Sequence, residues 1–371
     1  MHNSSDQQVI HHAISPAHVL RGASAWSEAL HLVPSLGSRP MLLGRSAATA
    51  ALRAQLAASL EGSGLAVTPA ELRFDCCEED LGLVAEEARL AGADLLIAAG
   101  GGKVLDAGKL LAHRLALPCI TVPTSAATCA GWTALANLYS PAGAFQADVA
   151  LPRCPDLLVF DHSLLLQAPP RTLASGIADA MAKWYEASVS SGGSGDGLVQ
   201  QAVQMARVLR DQLMLDAESA MAEPGGEAWV RVAEACGLTA GLIGGIGGAR
   251  CRTVAAHAVH NGLTQLPASH GHLHGEKVGF GILVQLRLEE QLGGHRLAEQ
   301  ARRQLLPLFE RLGLPVSLRQ LGLGAASLDD LDRVCRFACG SESDLHHLPF
   351  PVAPTDLLAA LVSTTAELRV S

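Results

Sequence analysis

The chain has 371 residues, 49% of them apolar and only 17% charged, with a formal net charge of −9 at pH 7. Its length accommodates two domains. The acidity, with no cluster of Lys or Arg, argues against a nucleic-acid partner, which needs a basic face. Mean hydropathy is positive at +0.25, but Gly, His, Pro or charges break every apolar run before the roughly 20 residues that span a bilayer, so no membrane partner is expected. The opening MHNSSDQQVIHHA has no basic region followed by a long apolar core, and no secretory leader is expected. Nine cysteines, an odd count without a C-x-x-C pair, read as reduced thiols of a cytoplasmic protein.

In chain order, the first half alternates short apolar runs with helical windows. Pro40 to Gly44 reads as a buried strand and Ser46 to Leu60 as a helix capped by Ser46. Leu65 to Thr68 and Glu71 to Phe74 are weak strand candidates, and Glu78 to Leu90 is a helix. Asp94 to Ala99 (DLLIAA) is continuous and apolar, as a buried parallel strand should be. A helix from Lys103 to His113 and a strand from Pro118 to Val122 follow. This alternation predicts a doubly wound α/β sheet. From Pro169 onward almost every segment reads as helix: Arg171 to Val189, Leu198 to Leu215, Glu227 to Leu242, Thr253 to Leu263, Glu276 to Leu292, Arg296 to Leu312, Leu328 to Cys339 and Thr355 to Ala366. The expected division is an α/β domain over 1–165 and an all-helical domain over 166–371.

Two loops sit where an open α/β sheet binds ligands, beyond the C-terminal strand ends. In DLLIAAGGGKVLDAGK, glycines lie between a strand and a helix, where backbone N–H groups attract phosphate. The spacing is neither G-x-G-x-x-G nor a Walker loop, and a plain tight turn with an exposed Lys103 and Asp106 is the alternative. The second loop, VPTSAATCAGWTALANLY, offers hydroxyls at Thr124, Ser125, Thr128 and Thr133.

The densest cluster of chemistry lies between Val254 and Val278, which holds five of the fifteen histidines: His257, His260, His270, His272 and His274. Imidazole is the commonest protein ligand for a transition metal, and a catalytic metal usually takes three protein ligands. An acid on an apolar helix would complete such a set. Asp179, among Ile177, Ala178, Ala180 and Met181, answers that description, the alternative being an exposed pair with Lys183. His257 and His260 can share a helix face, and His274 opens a helix; His270 and His272 fall in the connecting loop.

GGGKVLDAGK, VPTSAATCAGWTALANLYS, GIADAMAKWYEA and AAHAVHNGL…HLHGEKVGFGILVQL resemble the glycerol dehydrogenases of the metal-dependent, iron-containing alcohol dehydrogenase superfamily. The resemblance implies a Rossmann-like domain followed by a helical domain, the fold shared with dehydroquinate synthase. It implies metal ligands at Asp179, His257 and His274, with zinc or iron bound. Lys183 stands where the iron-type branch has a fourth ligand, which favours zinc. Cofactor contacts are implied at Gly101, Gly102, Lys103, Val104, Leu105, Asp106, Thr124, Ser125, Ala126, Ala127, Thr133, Leu135 and Tyr139. Arg45, in place of an acid that would hold the ribose 2′-hydroxyl, points from NAD toward NADP. Cys129 replaces a substrate-side Asp and makes TCAGWTAL resemble the hydroxycarboxylate dehydrogenase branch. His260 or His270 is a candidate proton relay. The implied activity is reversible hydride transfer between a small polyol or other secondary alcohol and NAD(P) in a homo-oligomer. NADPH-dependent reduction of 2-oxo acids is the alternative, and a sugar-phosphate cyclase or a non-catalytic nucleotide sensor on the same fold ranks lower.

Overall fold

The computed structural model describes residues 10–294 and 296–365. The first nine residues, on which the expectation of no secretory leader falls, and Ala366 at the end of the last predicted helix lie outside the described residues. The α/β part runs β1 (His18–Gly22), α1 (Ala25–Ala29), β2 (Pro40–Gly44), α2 (Ala50–Gly62), β3 (Thr68–Glu71), α3 (Glu78–Leu90), β4 (Leu95–Gly100), α4 (Gly102–Leu115), β5 (Cys119–Pro123), β6 (Leu135–Tyr139), β7 (Phe145–Ala150), β8 (Leu157–Asp161) and α5 (His162–Leu165). Six strands form one parallel sheet in the order β1-β8-β5-β4-β2-β3, and β6 and β7 pair as an antiparallel hairpin. The parallel sheet with helices on both faces is the predicted doubly wound arrangement.

Side-chain alternation explains the layers. Leu96 and Ala98 of β4 pack with Leu81, Val84 and Leu105 of α3 and α4. Leu95, Ile97 and Ala99 turn the other way, onto Trp26, Leu52 and Leu56 of α1 and α2. The two weak strand candidates are corrected to the single strand β3. Its Pro69 pairs opposite Leu42 at the sheet edge, where a missing N–H is tolerated.

The second part is helical: α6 (Pro170–Ser191), α7 (Gly197–Ala222), α8 (Glu227–Glu234), α9 (Ala240–Gly247), α10 (Ala255–Leu263), α11 (His274–Gln291), α12 (Arg296–Arg311), α13 (Leu328–Ala338) and α14 (Pro354–Val362). Helices α8 and α9 are joined by a π turn over Ala235–Thr239, where Gly237 lies so close to Phe160 that a Cβ would stand 2.2 Å from its ring. The resulting segment Glu227–Gly247 is 21 residues long and is, by length and composition, apolar enough to cross a bilayer. Arg231, Glu234 and the glycines from Gly237 onward interrupt it, as the sequence reading has it. Its Trp229, Val232, Cys236 and Ile243 are packed into the core formed with α6 and α7. The same core receives Leu158 and Phe160 from one face of β8, so the sheet and the helices share apolar contacts.

Candidate active site

Asp179 sits midway along α6, 2% exposed. Its Oδ1 faces Nε2 of His257 on α10 and Nε2 of His274 at the start of α11, each at 3.4 Å. The three ligand atoms lie within 4.8 Å of one another. A tetrahedral ion with bonds of about 2.0–2.1 Å sets neighbouring ligand atoms about 3.3–3.4 Å apart. Asp179 Oδ1 is moreover a buried acceptor without a hydrogen-bond partner, a situation proteins rarely leave unrelieved. Donor set, spacing and orphaned oxygen all fit a divalent cation.

Each imidazole is held by a second group. Nδ1 of His257 lies 2.6 Å from Glu186 Oε2, and Glu186 Oε1 accepts the backbone N–H groups of Val254 at 2.7 Å and His257 at 3.0 Å. A carboxylate can only accept, so His257 donates through Nδ1 and turns Nε2 toward Asp179. Nδ1 of His274 is 3.0 Å from Nε2 of His260, whose Nδ1 is 2.8 Å from Asn261 Oδ1. If His260 donates to that amide oxygen, His274 donates to His260, and its own Nε2 also points inward as a lone pair. Burial first, then the charge on His274, keeps His260 well below the ordinary histidine range, hence neutral. Burial also lowers His274, against the pull of Asp179. For His257, burial is outweighed by Glu186 and Asp179, which raise it to about 9. Without metal, a proton on that ring takes the cation's place, and metal binding must expel it. Burial pushes Asp179 up, but the two imidazoles and Lys183 hold it well below the usual carboxylate range.

Two close backbone approaches set this geometry. A Cβ at Gly275 would stand 1.8 Å from the carbonyl oxygen of Ser175, and one at Gly176 1.9 Å from that of Ala126. Helix α6 therefore touches the start of α11 on one side and the loop after β5 on the other. Gly275 N–H donates to Ser175 Oγ at 3.0 Å, and Arg171 grips Glu276 in the first turn of α11 at 2.5 and 2.6 Å.

The triad opens into a cleft of about 370 Å³ that runs to the C-terminal ends of β4 and β5. Arg45, Gly101, Gly102, Lys103, Val104, Asp106, Ser125, Ala127, Cys129, Thr133, Leu135 and Tyr139 line it, as do all three metal candidates. Leu105, Thr124 and Ala126 do not: Leu105 is 1% exposed in the core, Thr124 donates its N–H to the Gly100 carbonyl, and Ala126 rests on Gly176. Asp106 is not an exposed first-turn residue. It is buried on Lys109, which also donates to Thr133 and the Leu135 carbonyl and so braces the second loop. Burial, opposed by Lys109, raises Asp106. Lys103 pairs with Asp75, as does Arg45 at 2.5 Å. His260 supports His274 from outside the cleft lining, and His270 is bound to the Thr264 carbonyl at 2.8 Å.

Reading the sequence missed Glu186, Lys109, Asp75, Asn261 and Asp148. Glu186 alone carried a signal, seven residues after Asp179 and so on the same helix face. Asp148 on β7 lines the cleft. Solvent reaches it, yet desolvation by the cleft walls, with Asp344 adding, raises its carboxyl to about 6. The folded value exceeds the ordinary 3.8, so the native state takes up a proton between about pH 4 and pH 6. The penalty for the charge is absent below that window and complete above it. In the metal-free protein Asp148→Asn is therefore expected to raise the urea midpoint at pH 7.5 and to leave it unchanged near pH 4; an equal shift at both values would contradict this.

Residues 16–162 match the iron-containing alcohol dehydrogenase family. The chain is 52% identical to an uncharacterized oxidoreductase of Synechocystis sp., over 97% of this chain and 93% of that one. It is 33% identical to a glycerol dehydrogenase of Pseudomonas putida, covering 82% and 83% of the two chains. The fold superposes on the crystal structure of a probable glycerol dehydrogenase from Sinorhizobium meliloti with a TM-score of 0.85 and 28% identity, over 96% of this chain and 99% of that one.

Proposed function

Because this chain belongs to the iron-containing alcohol dehydrogenase family as a glycerol dehydrogenase-like member, we propose that it passes a hydride between a small secondary alcohol and NAD(P) beside one metal ion. The observation that carries this reading is that Asp179, His257 and His274 open into the same cleft as the glycine turn after β4. When bound, the metal supplies a Lewis acid toward the substrate oxygen, and the nicotinamide supplies the hydride acceptor or donor.

The rest is the work of the chain's own groups. Gly101 and Gly102 let the backbone at the start of α4 approach a pyrophosphate, which the helix N-terminus attracts. Ser125, Ala127, Thr133, Leu135 and Tyr139 wall the nucleotide, and Arg45 at the same end favours a 2′-phosphate, hence NADP(H). Glu186 and His260 keep the two imidazoles in their ligating tautomers. We assign zinc as the metal, since Lys183 one turn after Asp179 brings an ammonium, which has no lone pair to donate. The nine cysteines are all free thiols, which supports a cytoplasmic location. Val208 and Leu215, seven residues apart on α7 and 67% and 81% exposed, support a homo-oligomer. The change from sheet to helix between Asp161 and Pro170 supports division into domains over 1–165 and 166–371.

The test is steady-state turnover on a panel of small polyols, hydroxy acids and their carbonyl counterparts. Each is run with NAD(H) and NADP(H) on zinc-loaded and chelated protein. Turnover that depends on added zinc is expected. Rates that survive removal of the metal, confirmed by elemental analysis, would refute the reading.

A further inference from the structure

The β6–β7 hairpin is a two-stranded sheet, so each strand has a bare edge whose N–H and C=O groups need partners elsewhere. On the β6 side they find the α/β part. Asn137 N–H donates to Asp106 Oδ2 at 3.2 Å, Tyr139 N–H donates to the Cys76 carbonyl at 2.8 Å, and the Leu135 carbonyl accepts from Lys109. On the β7 side they find the helical part. Phe145 N–H donates to Thr264 Oγ1 at 2.9 Å, and the Phe145 carbonyl accepts from Gln265 Nε2 at 3.0 Å. Two neighbouring residues thus meet both peptide groups of one strand residue, as a paired strand would. The orientation of the Gln265 amide follows from its surroundings, since the carbonyls of Phe145 and Asn261 beside it can only accept.

Thr264 is 2% exposed and ends α10, seven residues and about 10 Å along the helix from His257. All its polar groups are engaged. Its N–H donates to the His260 carbonyl at 3.1 Å, and its carbonyl accepts from His270 Nε2 at 2.8 Å. Its hydroxyl donates to the Asn261 carbonyl at 2.6 Å while accepting the Phe145 N–H. Across the hairpin Phe145 pairs with Tyr139, and their rings meet edge to face with centroids 6.0 Å apart. Tyr139, Leu135 and Asn137 face the cleft. The wall of the coenzyme cleft and the helix that carries His257 are therefore joined at Thr264.

Resting on the dehydrogenase reading above, we propose that Thr264, assisted by Gln265, is a positioning residue for hydride transfer. It sets how far the β6 wall stands from the helix that carries His257. Neither side chain touches a reacting atom, and their hydrogen bonds stay intact through the reaction. The transfer needs donor and acceptor carbons in near-attack contact, and a misplacement of about 1 Å costs about 10²-fold in rate. A hairpin freed along β7 would keep its brace on α4 and lose its alignment with α10.

Thr264→Val removes the hydroxyl and keeps the branched shape. With the fastest carbonyl compound of the panel above, kcat should fall roughly 10-fold to 100-fold at unchanged zinc content. The isotope effect from coenzyme deuterated at nicotinamide C4 should be at least that of wild type, because the slowed step is the transfer itself. Gln265→Met, at a half-buried position, should lower kcat in the same direction by less. Thr264→Ser keeps the oxygen and should recover most of the rate. Amide hydrogen exchange at Phe145 in metal-free protein, read without turnover, should be faster in Thr264→Val than in wild type or Thr264→Ser. Unmoved kcat in both Thr264→Val and Gln265→Met overturns the assignment, as does a Ser variant as slow as the Val one, an isotope effect below that of wild type, or unchanged exchange at Phe145. A wild-type protein that turns over no member of the panel removes the dehydrogenase reading instead, and the exchange at Phe145 then still decides whether Thr264 holds the hairpin. If Thr264→Val does not fold, Gln265→Met carries the same readouts.

Discussion

Asp179→Ala is expected to lower kcat/KM by at least about 10³-fold, equivalent to about 4 kcal/mol of transition-state stabilisation, and to leave the purified protein nearly free of zinc. Two imidazoles cannot hold a catalytic cation as three ligands do, and the lost carboxylate is the only member of the set with a negative charge. The metal-free protein should also be destabilised, since Asp179 is the acid facing His257, His274 and Lys183. The loss of the site itself is read from the response of each protein to added zinc. Zinc at a hundred times its Kd should stabilise the wild-type fold by about 2.7 kcal/mol and the variant hardly at all. Elemental analysis, kinetics and thermal unfolding with and without zinc make the measurement. Normal turnover at normal metal content would remove the site.

The second large effect is expected one shell out, at Glu186. This carboxylate is fully buried and accepts two backbone N–H groups as well as the Nδ1 of His257. Glu186→Gln keeps one acceptor oxygen but presents an amide N–H₂ where a second acceptor was needed. Zinc affinity should fall by about 10- to 100-fold, as for other lost supports of a metal-binding histidine. A pH signature separates this from simple misfolding. In metal-free wild type the raised His257 contributes stability that is complete below its ordinary value of 6.5 and is lost as pH climbs through about 9. Glutamine removes the largest cause of the elevation, so urea midpoints followed from pH 6 to pH 10 should show a flatter profile in the variant. Parallel profiles would mean that Glu186 does not set the His257 proton.

How far such features could be read in advance depended on whether they are local. The apolar run DLLIAA and the helix Glu78–Leu90 are local, and both appear within a residue of where they were predicted. Asp179 was visible because an acid inside an apolar helix is anomalous on its face. The β6–β7 hairpin was not: LANLY and FQADVA carry no tight two-residue turn signal between them. Strands β1 and β8 owe their identity to pairing with each other across more than a hundred residues. Glu186 is an ordinary helix glutamate until α10 folds across it. Lys183 was seen first as a departure from a ligand pattern. That it is buried in the cleft beside Asp179, with its Nζ on the Arg252 carbonyl, depends on neighbours far apart in the chain.

One consequence of the glycines at 176 and 275 concerns engineering. The nucleotide loop leans on the bare backbone of α6, which in turn leans on the first turn of α11, so these parts interlock like stacked tiles without mortar. A hybrid that takes its sheet from one relative and its helices from another will close correctly only where both junction positions lack a side chain. One methyl group at either place would pry the coenzyme pocket and the cation cage apart together.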